Sequence, residues 1–64
     1  MPIITIEMWE GRSKETKKQL VKELTDVVCK VLSCPKNAVT IILHEVSNKD
    51  NWSYEGELAS EKFK

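Results

Sequence analysis

The chain contains 64 residues, and ten lysines and arginines balance ten aspartates and glutamates. This length predicts one small domain over residues 1–64, whose marginal core favours association with further copies, and the zero net charge argues against nucleic acid or an anionic membrane as a partner. Because the sequence has neither a basic leader followed by an apolar segment nor an apolar run of about 20 residues, we expect no membrane span and a cytoplasmic location.

The first predicted element is a strand over Ile3–Trp9, in which apolar residues occupy both faces. Pro2 comes directly before this strand. Removal of Met1 would leave Pro2 as a secondary amine held by the sheet, and an α-amine has a pKa of about 7.7–8.0. Burial or a nearby cation lowers that pKa, because both disfavour the protonated form. Pro2 is therefore a candidate general base.

A helix is predicted over about Lys14–Leu32. Ser13 is a suitable N-cap residue, and Glu15 places a negative charge in the first turn, where it favours the helix dipole. Six apolar residues recur at spacings of three and four and predict one apolar stripe; they are Leu20, Leu24, Val27, Val28, Val31 and Leu32. Cys29 and Cys34 lie in or just after this helix, and without a cluster of further cysteines or histidines we expect free thiols and no structural metal.

The helix is followed by a predicted return strand. Pro35 disfavours helical geometry at Cys34 and ends the helix, and β-branched residues at the centre of Ala38–Val46 favour a strand there. The order strand, helix, strand predicts an α/β fold built on one right-handed βαβ unit with two parallel strands. The helix covers one face of this sheet, so apolar side chains on the opposite face predict an oligomer interface.

The last part of the chain changes in composition. The polar, turn-forming segment 47–51 is followed by Trp52, Tyr54 and Gly56, which together predict a loop or a short C-terminal hairpin. Residues 57–64 form a short tail, which we expect to lie against a neighbouring subunit.

Three features occur together: the Met-Pro start, Glu10-Gly11-Arg12-Ser13 after the first strand, and Gly56-Glu57-Leu58-Ala59-Ser60 near the end. With these motifs in register over essentially the whole chain, the sequence resembles 4-oxalocrotonate tautomerase and its small relatives in the tautomerase superfamily. The resemblance implies a homo-oligomer, usually a hexamer built as a trimer of dimers, with active sites assembled between subunits. A dimer is the alternative.

The resemblance also implies the chemistry. The family's catalytic proline falls on Pro2, which takes the hydroxyl proton of a small acidic enol or dienol, such as a 2-hydroxymuconate-like or phenylenolpyruvate-like compound, without a cofactor. From a dienol it yields an unsaturated 2-keto acid. The family's first arginine falls on Arg12, which would hold the substrate carboxylate. Its hairpin aromatic falls on Trp52, which would keep the amine in a low-dielectric setting.

The chain departs from the family at its second substrate-binding arginine, which corresponds to Thr40. Loss of one such contact can cost about 10²–10³ in rate, unless Arg12, Lys49 or a backbone amide compensates. Phe63 stands at a basic position of the family, and the loop before Trp52 is one residue longer.

Two other functions stay open. A non-catalytic oligomeric protein of the same fold would bind a small molecule or serve assembly, having lost efficient turnover with Thr40. A hydratase-type or dehalogenase-type reaction would use the protonated proline as an acid, but no residue is an obvious activator of water. His44 with Glu45 could form a proton relay, and Glu7 with Glu45 a carboxylate pair, although surface or interface roles are the simpler interpretation.

Overall fold

The protein is a βαβ unit followed by a hairpin and a final helical turn. A computed structural model describes residues 1–62, so the prediction for Phe63 lies outside the described residues. The elements in chain order are β1 (Ile3–Trp9), α1 (Lys14–Leu32), β2 (Thr40–Val46), β3 (Ser53–Tyr54), β4 (Glu57–Leu58) and α2 (Ala59–Lys62). Two short 3₁₀ turns, Lys36–Ala38 and Lys49–Asn51, lie before β2 and before β3. The predicted α/β fold, with its long helix and C-terminal hairpin, is confirmed.

β1 and β2 pair in parallel along their full lengths, with Ile3 opposite Thr40. β2 begins two residues later than predicted because a 3₁₀ turn uses the preceding amides. Ala38 N–H donates to Pro35 O at 3.0 Å, and the Val39 N–H is bonded within the same turn. These donors therefore do not join the strand ladder.

α1 begins and ends where the sequence predicts. Ser13 Oγ accepts a hydrogen bond from Thr16 N–H at 3.2 Å and so caps the first turn. At the other end Ser33 takes a left-handed conformation, with φ 55° and ψ 49°. Cys34 N–H then donates to Cys29 O at 3.2 Å, which closes the last turn.

The two faces of the β1–β2 sheet differ in their cover. One face carries the half-buried side chains Ile4, Ile6, Ile41 and Leu43 and the buried Met8. Lys17 of α1 reaches Glu45 Oε1 at 2.6 Å, and Glu45 shares a face with Leu43 because side chains alternate along a strand. The helix therefore covers this face. On the opposite face Ile3 is 65% and Ile42 is 45% exposed, as expected for an uncovered apolar surface.

The chain has little core of its own. Among residues 1–62 the buried apolar residues are Met8 and Ala59, while three members of the predicted helix stripe, Val27, Val31 and Leu32, are exposed. The radius of gyration is 15.0 Å, against about 11 Å for a compact chain of this length. The shortest extent is 13 Å, about the width of one helix. A single chain therefore leaves much of its apolar surface open.

The C-terminal segment packs on the same chain. β3 and β4 form an antiparallel hairpin, and both turn residues, Glu55 and Gly56, have positive φ (50° and 82°), as a type I′ turn requires. Ala59 N–H donates to Trp52 O at 2.7 Å, and Ala59 is fully buried. Residues 57–62 thus fold back on their own chain; that the tail also lies against a neighbouring subunit stays a prediction.

Both cysteines, Cys29 and Cys34, are free and half-buried. Partial burial raises the pKa of the Cys29 thiol, and the neighbouring Cys34 raises it further, so Cys29 is protonated at neutral pH and is a poor nucleophile. In the described part of the chain, no group of three or more His, Cys, Asp or Glu side chains is placed to hold a metal ion. Over the same residues, no helix combines the length and apolarity needed to span a bilayer.

The N-cap of α1 can be tested by Ser13→Ala. We expect the free energy of unfolding to fall by about 1 kcal/mol, because the Thr16 N–H loses its acceptor. Urea unfolding at a fixed protomer concentration measures the change, since association contributes to apparent stability. Ser47→Ala, in the exposed loop after β2, is the matched control and should change stability by less than about 0.5 kcal/mol. Equal losses in the two variants would contradict the capping role.

Candidate active site

A cavity of about 280 Å³ lies where the chain leaves β1. Its lining residues are Glu7, Met8, Trp9, Arg12, Trp52 and Tyr54. The cavity is at the carboxyl end of the parallel strands, which is the edge where open α/β sheets bind ligands. Its volume is near the lower limit of ligand cavities, about 300–1,000 Å³, so it suits a small molecule.

Aromatic rings form one wall of the cavity. The rings of Trp9 and Trp52 meet edge to face, with centroids 5.7 Å apart and an interplanar angle of 75°. The Tyr54 ring lies 6.5 Å from that of Trp52. The sequence predicts Trp52 here but not Tyr54; the available signal is their spacing of two, which puts both side chains on one side of an extended segment. These rings offer a flat apolar surface to a ligand in the cavity.

Arg12 brings a guanidinium to the same cavity. The loop after β1 is tied to β2 by a hydrogen bond from Glu10 N–H to Val46 O at 3.1 Å. Gly11 takes φ 120°, a conformation that side chains rarely allow, and Arg12 Nη1 then donates to Trp9 O at 3.1 Å. Because a guanidinium has five N–H donors, others are left for a substrate carboxylate. Both predicted substrate-binding residues therefore lie on one cavity.

A second cation, Lys49, lies against Trp9, one of the residues that line this cavity, although Lys49 itself is not among the lining residues. Its Nζ lies 4.9 Å from the centre of the Trp9 ring, which is a cation–π contact. From the sequence, Lys49 is only one of three groups that could compensate for the arginine that Thr40 replaces. A polar loop lacks the periodicity from which the direction of a side chain can be predicted.

Pro2 lies at the opposite end of β1 from the cavity. Thr40 N–H donates to Pro2 O at 3.1 Å, so the sheet holds Pro2 as predicted. The seven residues of β1 put Trp9 roughly 23 Å from Pro2, at about 3.3 Å per residue. Pro2 is not among the lining residues of the cavity. A single chain therefore brings Arg12 and Trp52 together but leaves Pro2 at a distance.

His44, Glu7 and Glu45 form neither the proton relay nor the carboxylate pair considered from the sequence. His44 Nδ1 lies 2.9 Å from Glu7 Oε2 on the open face of the sheet, whereas Glu45 points to the helix side and binds Lys17. Neither a His44–Glu45 relay nor a Glu7–Glu45 carboxylate pair forms. The His44 and Glu7 side chains are both well exposed, as is usual for a polar contact at the surface, although Glu7 also borders the cavity.

Comparisons with known proteins agree on one family. A family model described as tautomerase enzyme matches residues 2–62. A probable tautomerase of Listeria innocua is 50% identical over 50 residues, which cover 78% of this chain and 82% of that protein. A solved structure from work on the 4-oxalocrotonate tautomerase isozymes of Methylibium petroleiphilum superposes with a TM-score of 0.89 at 29% identity, covering 97% of this chain and 95% of its own. A heterohexamer 4-oxalocrotonate tautomerase from Chloroflexus aurantiacus gives a TM-score of 0.85 at 31% identity, over 95% and 97% of the two chains.

The position of Arg12 predicts that the cavity binds small carboxylates. We expect Arg12→Gln to weaken binding of sorbate, a six-carbon unsaturated monocarboxylate, by about tenfold, because charge-assisted hydrogen bonds are lost. Quenching of the fluorescence of Trp9 and Trp52 during a sorbate titration measures the change. Lys22→Gln, on the exposed side of α1, is the control. Unchanged sorbate affinity in Arg12→Gln would remove Arg12 from the site.

Proposed function

The chain belongs to the tautomerase family, and from this membership we propose that it is a keto–enol tautomerase whose general base is the amine of Pro2 after removal of Met1. The observation that carries the proposal is the cavity in which Arg12 lies beside the Trp9–Trp52 wall. A guanidinium next to aromatic rings suits a small, flat, conjugated acid, because the cation binds the carboxylate and the rings contact the apolar part. The proposed reaction uses no cofactor.

The proposed substrate is a small acidic enol or dienol, such as 2-hydroxymuconate or phenylenolpyruvate. The Pro2 nitrogen takes the enol proton, so the O–H bond breaks and a C=O bond forms while the double bond shifts. The same proton is delivered to a carbon of the conjugated system, and the product is a 2-keto acid, unsaturated where the substrate is a dienol. Arg12 holds the carboxylate and stabilises the charge that develops. An α-amine with a pKa of about 7.7–8.0 can both accept and return a proton near neutral pH.

We propose further that each active site is shared between chains of a homo-oligomer. The separation of roughly 23 Å along β1 requires that Pro2 of one chain enter the Arg12 and Trp52 cavity of another. The exposed Ile3 and Ile42 on the open sheet face provide apolar surface for this association. A hexamer is the proposed form, in line with the heterohexamer among the structural neighbours, and a dimer is the alternative.

The neutral Thr40 favours a second candidate function. In this alternative the chain keeps the fold and the cavity but binds a small acid without turning it over efficiently, because the contact that the family's second arginine makes is missing. Thr40 lies at the Pro2 end of the sheet, paired with Ile3. The missing arginine contact would therefore affect the reacting end of the substrate most. Turnover that depends on Pro2 separates the two functions.

The general-base role can be tested with Pro2→Ala. We expect kcat/KM for ketonisation of 2-hydroxymuconate or phenylenolpyruvate to fall by about 10²-fold or more, with the oligomer intact. Protein that retains Met1, identified by mass, should be inactive, because its Pro2 nitrogen is an amide. Since the base acts unprotonated, wild-type kcat/KM should fall as the pH drops below the pKa of the amine. Pro35→Ala is the matched control, and equal turnover by Pro2→Ala and wild type would refute the assignment.

The shared site can be tested by mixing two variants that each lack one of the proposed site residues. Chains carrying Pro2→Ala and chains carrying Arg12→Gln are unfolded, combined in equal amounts and refolded together. If Pro2 and the cavity come from different chains, about a quarter of the sites regain both intact residues, and a similar share of the activity should return. Each variant refolded alone is the control. No recovery in mixtures that contain mixed oligomers would show that both residues act from the same chain.

A further inference from the structure

Lys49 is positioned by the main chain of the pocket wall. In the 3₁₀ turn Lys49–Asn51, Asn51 N–H donates to Asn48 O at 2.9 Å, and Trp52 N–H donates to Lys49 O at 3.3 Å. The ammonium of Lys49 lies over the Trp9 ring. Lys49 therefore contacts both tryptophans of the cavity, one through its carbonyl oxygen and the other through its side chain.

The charge of Lys49 is not neutralised by its acidic neighbour. The Asp50 carboxylate accepts a hydrogen bond from Ser60 Oγ. Within residues 1–62 the lysines that form ion pairs are Lys17, Lys36 and Lys62, and Lys49 is not one of them. An ammonium held by a ring alone can turn to an incoming carboxylate without breaking an ion pair, and its four-carbon stem gives it the necessary freedom.

Two cations are thus anchored on one residue of the cavity. Arg12 Nη1 is bonded to the main-chain oxygen of Trp9 at 3.1 Å, and Lys49 Nζ lies 4.9 Å from the Trp9 ring centre. We propose that Lys49 is a second anion-binding residue of the active site, which selects acids that carry a second carboxylate in addition to the one held by Arg12. This inference deepens the proposed function and rests on it.

If Lys49 binds the second carboxylate, a single subunit recognises both acidic groups of the substrate. With Thr40 neutral, the strand that carries it offers no cation at this position to a second acidic group. Lys49 provides the cation from the chain that also provides Arg12, Trp9 and Trp52. One subunit then binds both carboxylates, and the general base comes from another subunit.

The test compares two acids that differ in one carboxylate. trans,trans-Muconate and sorbate share a six-carbon conjugated chain, and only muconate carries a carboxylate at each end. Calorimetric titration of the assembled protein should show that wild type binds muconate more tightly than sorbate. Lys49→Met should weaken muconate binding by about tenfold and sorbate binding by less than threefold, because one charge-assisted contact is lost. Lys49→Arg should restore muconate binding to within about threefold of wild type.

Lys18→Met, on the exposed face of α1, is the matched control and should leave both affinities unchanged. Wild-type muconate affinity in Lys49→Met, equal losses for the two acids, or no preference of wild type for muconate would each overturn the proposal. The readout is binding, so it is independent of turnover. If Pro2→Ala leaves turnover unchanged while the Lys49-dependent preference for muconate is found, the general-base proposal fails and the assignment of Lys49 stands. If wild type binds neither acid, both the assignment of Lys49 and the anion-binding role of the cavity fail.

Discussion

A single helix packed on one face of a two-stranded sheet leaves the other face without cover, and most properties of this molecule follow from that arrangement. Five large apolar residues are 45% to 71% exposed: Ile3 and Ile42 on that open sheet face, and Val27, Val31 and Leu32 on α1. Complete burial of such a side chain stabilises by about 1.5–3 kcal/mol, so half of that gain over five residues is about 4–7 kcal/mol. This amount is comparable to the entire stability of a small domain, about 5–15 kcal/mol. In the proposed oligomer, burial of these side chains would therefore contribute far more to stability than the ion pairs, most of which lie at the surface.

The length of β1 applies the same constraint to function. A seven-residue strand separates the residue before it from the residue at its end by roughly 23 Å. Pro2 and the cavity beside Trp9 cannot meet in one chain without breaking the β1–β2 ladder. If Pro2 is the base, the reaction requires the association that stability already favours. The exposed apolar face and the division of the active site between chains then both follow from a two-stranded sheet covered on one face.

Sequence patterns predicted the regular elements closely and the cavity incompletely. The observed ends of α1 agree with the predicted ones because both signals are local. Ser13 caps the first turn, and Pro35 restricts the backbone of the residue before it. β2 started late because the 3₁₀ turn before it competes for the same amides, and no periodicity marks such a turn. Arg12 and Trp52, which both line the cavity, were predicted from the family resemblance, but the contact of Lys49 with Trp9 depends on how a polar loop folds against a strand. The predicted length of β1 already implied the separation of Pro2 from Trp9, because each strand residue adds about 3.3 Å. The residue types at the site do not reveal this distance.

The distribution of charge along the chain adds an electrostatic consequence. At the Pro2 end the residue paired across the sheet from Ile3 is Thr40, which carries no charge that could favour an unprotonated amine. Arg12 and Lys49 both lie at the other end, beside the aromatic wall. A nearby cation and reduced solvation each disfavour a protonated amine. In the proposed assembly both influences reach Pro2 only from a second chain. Oligomerisation would then set the protonation state of the base as well as complete the cavity, so the isolated chain would lack both the geometry and the electrostatics that the reaction needs.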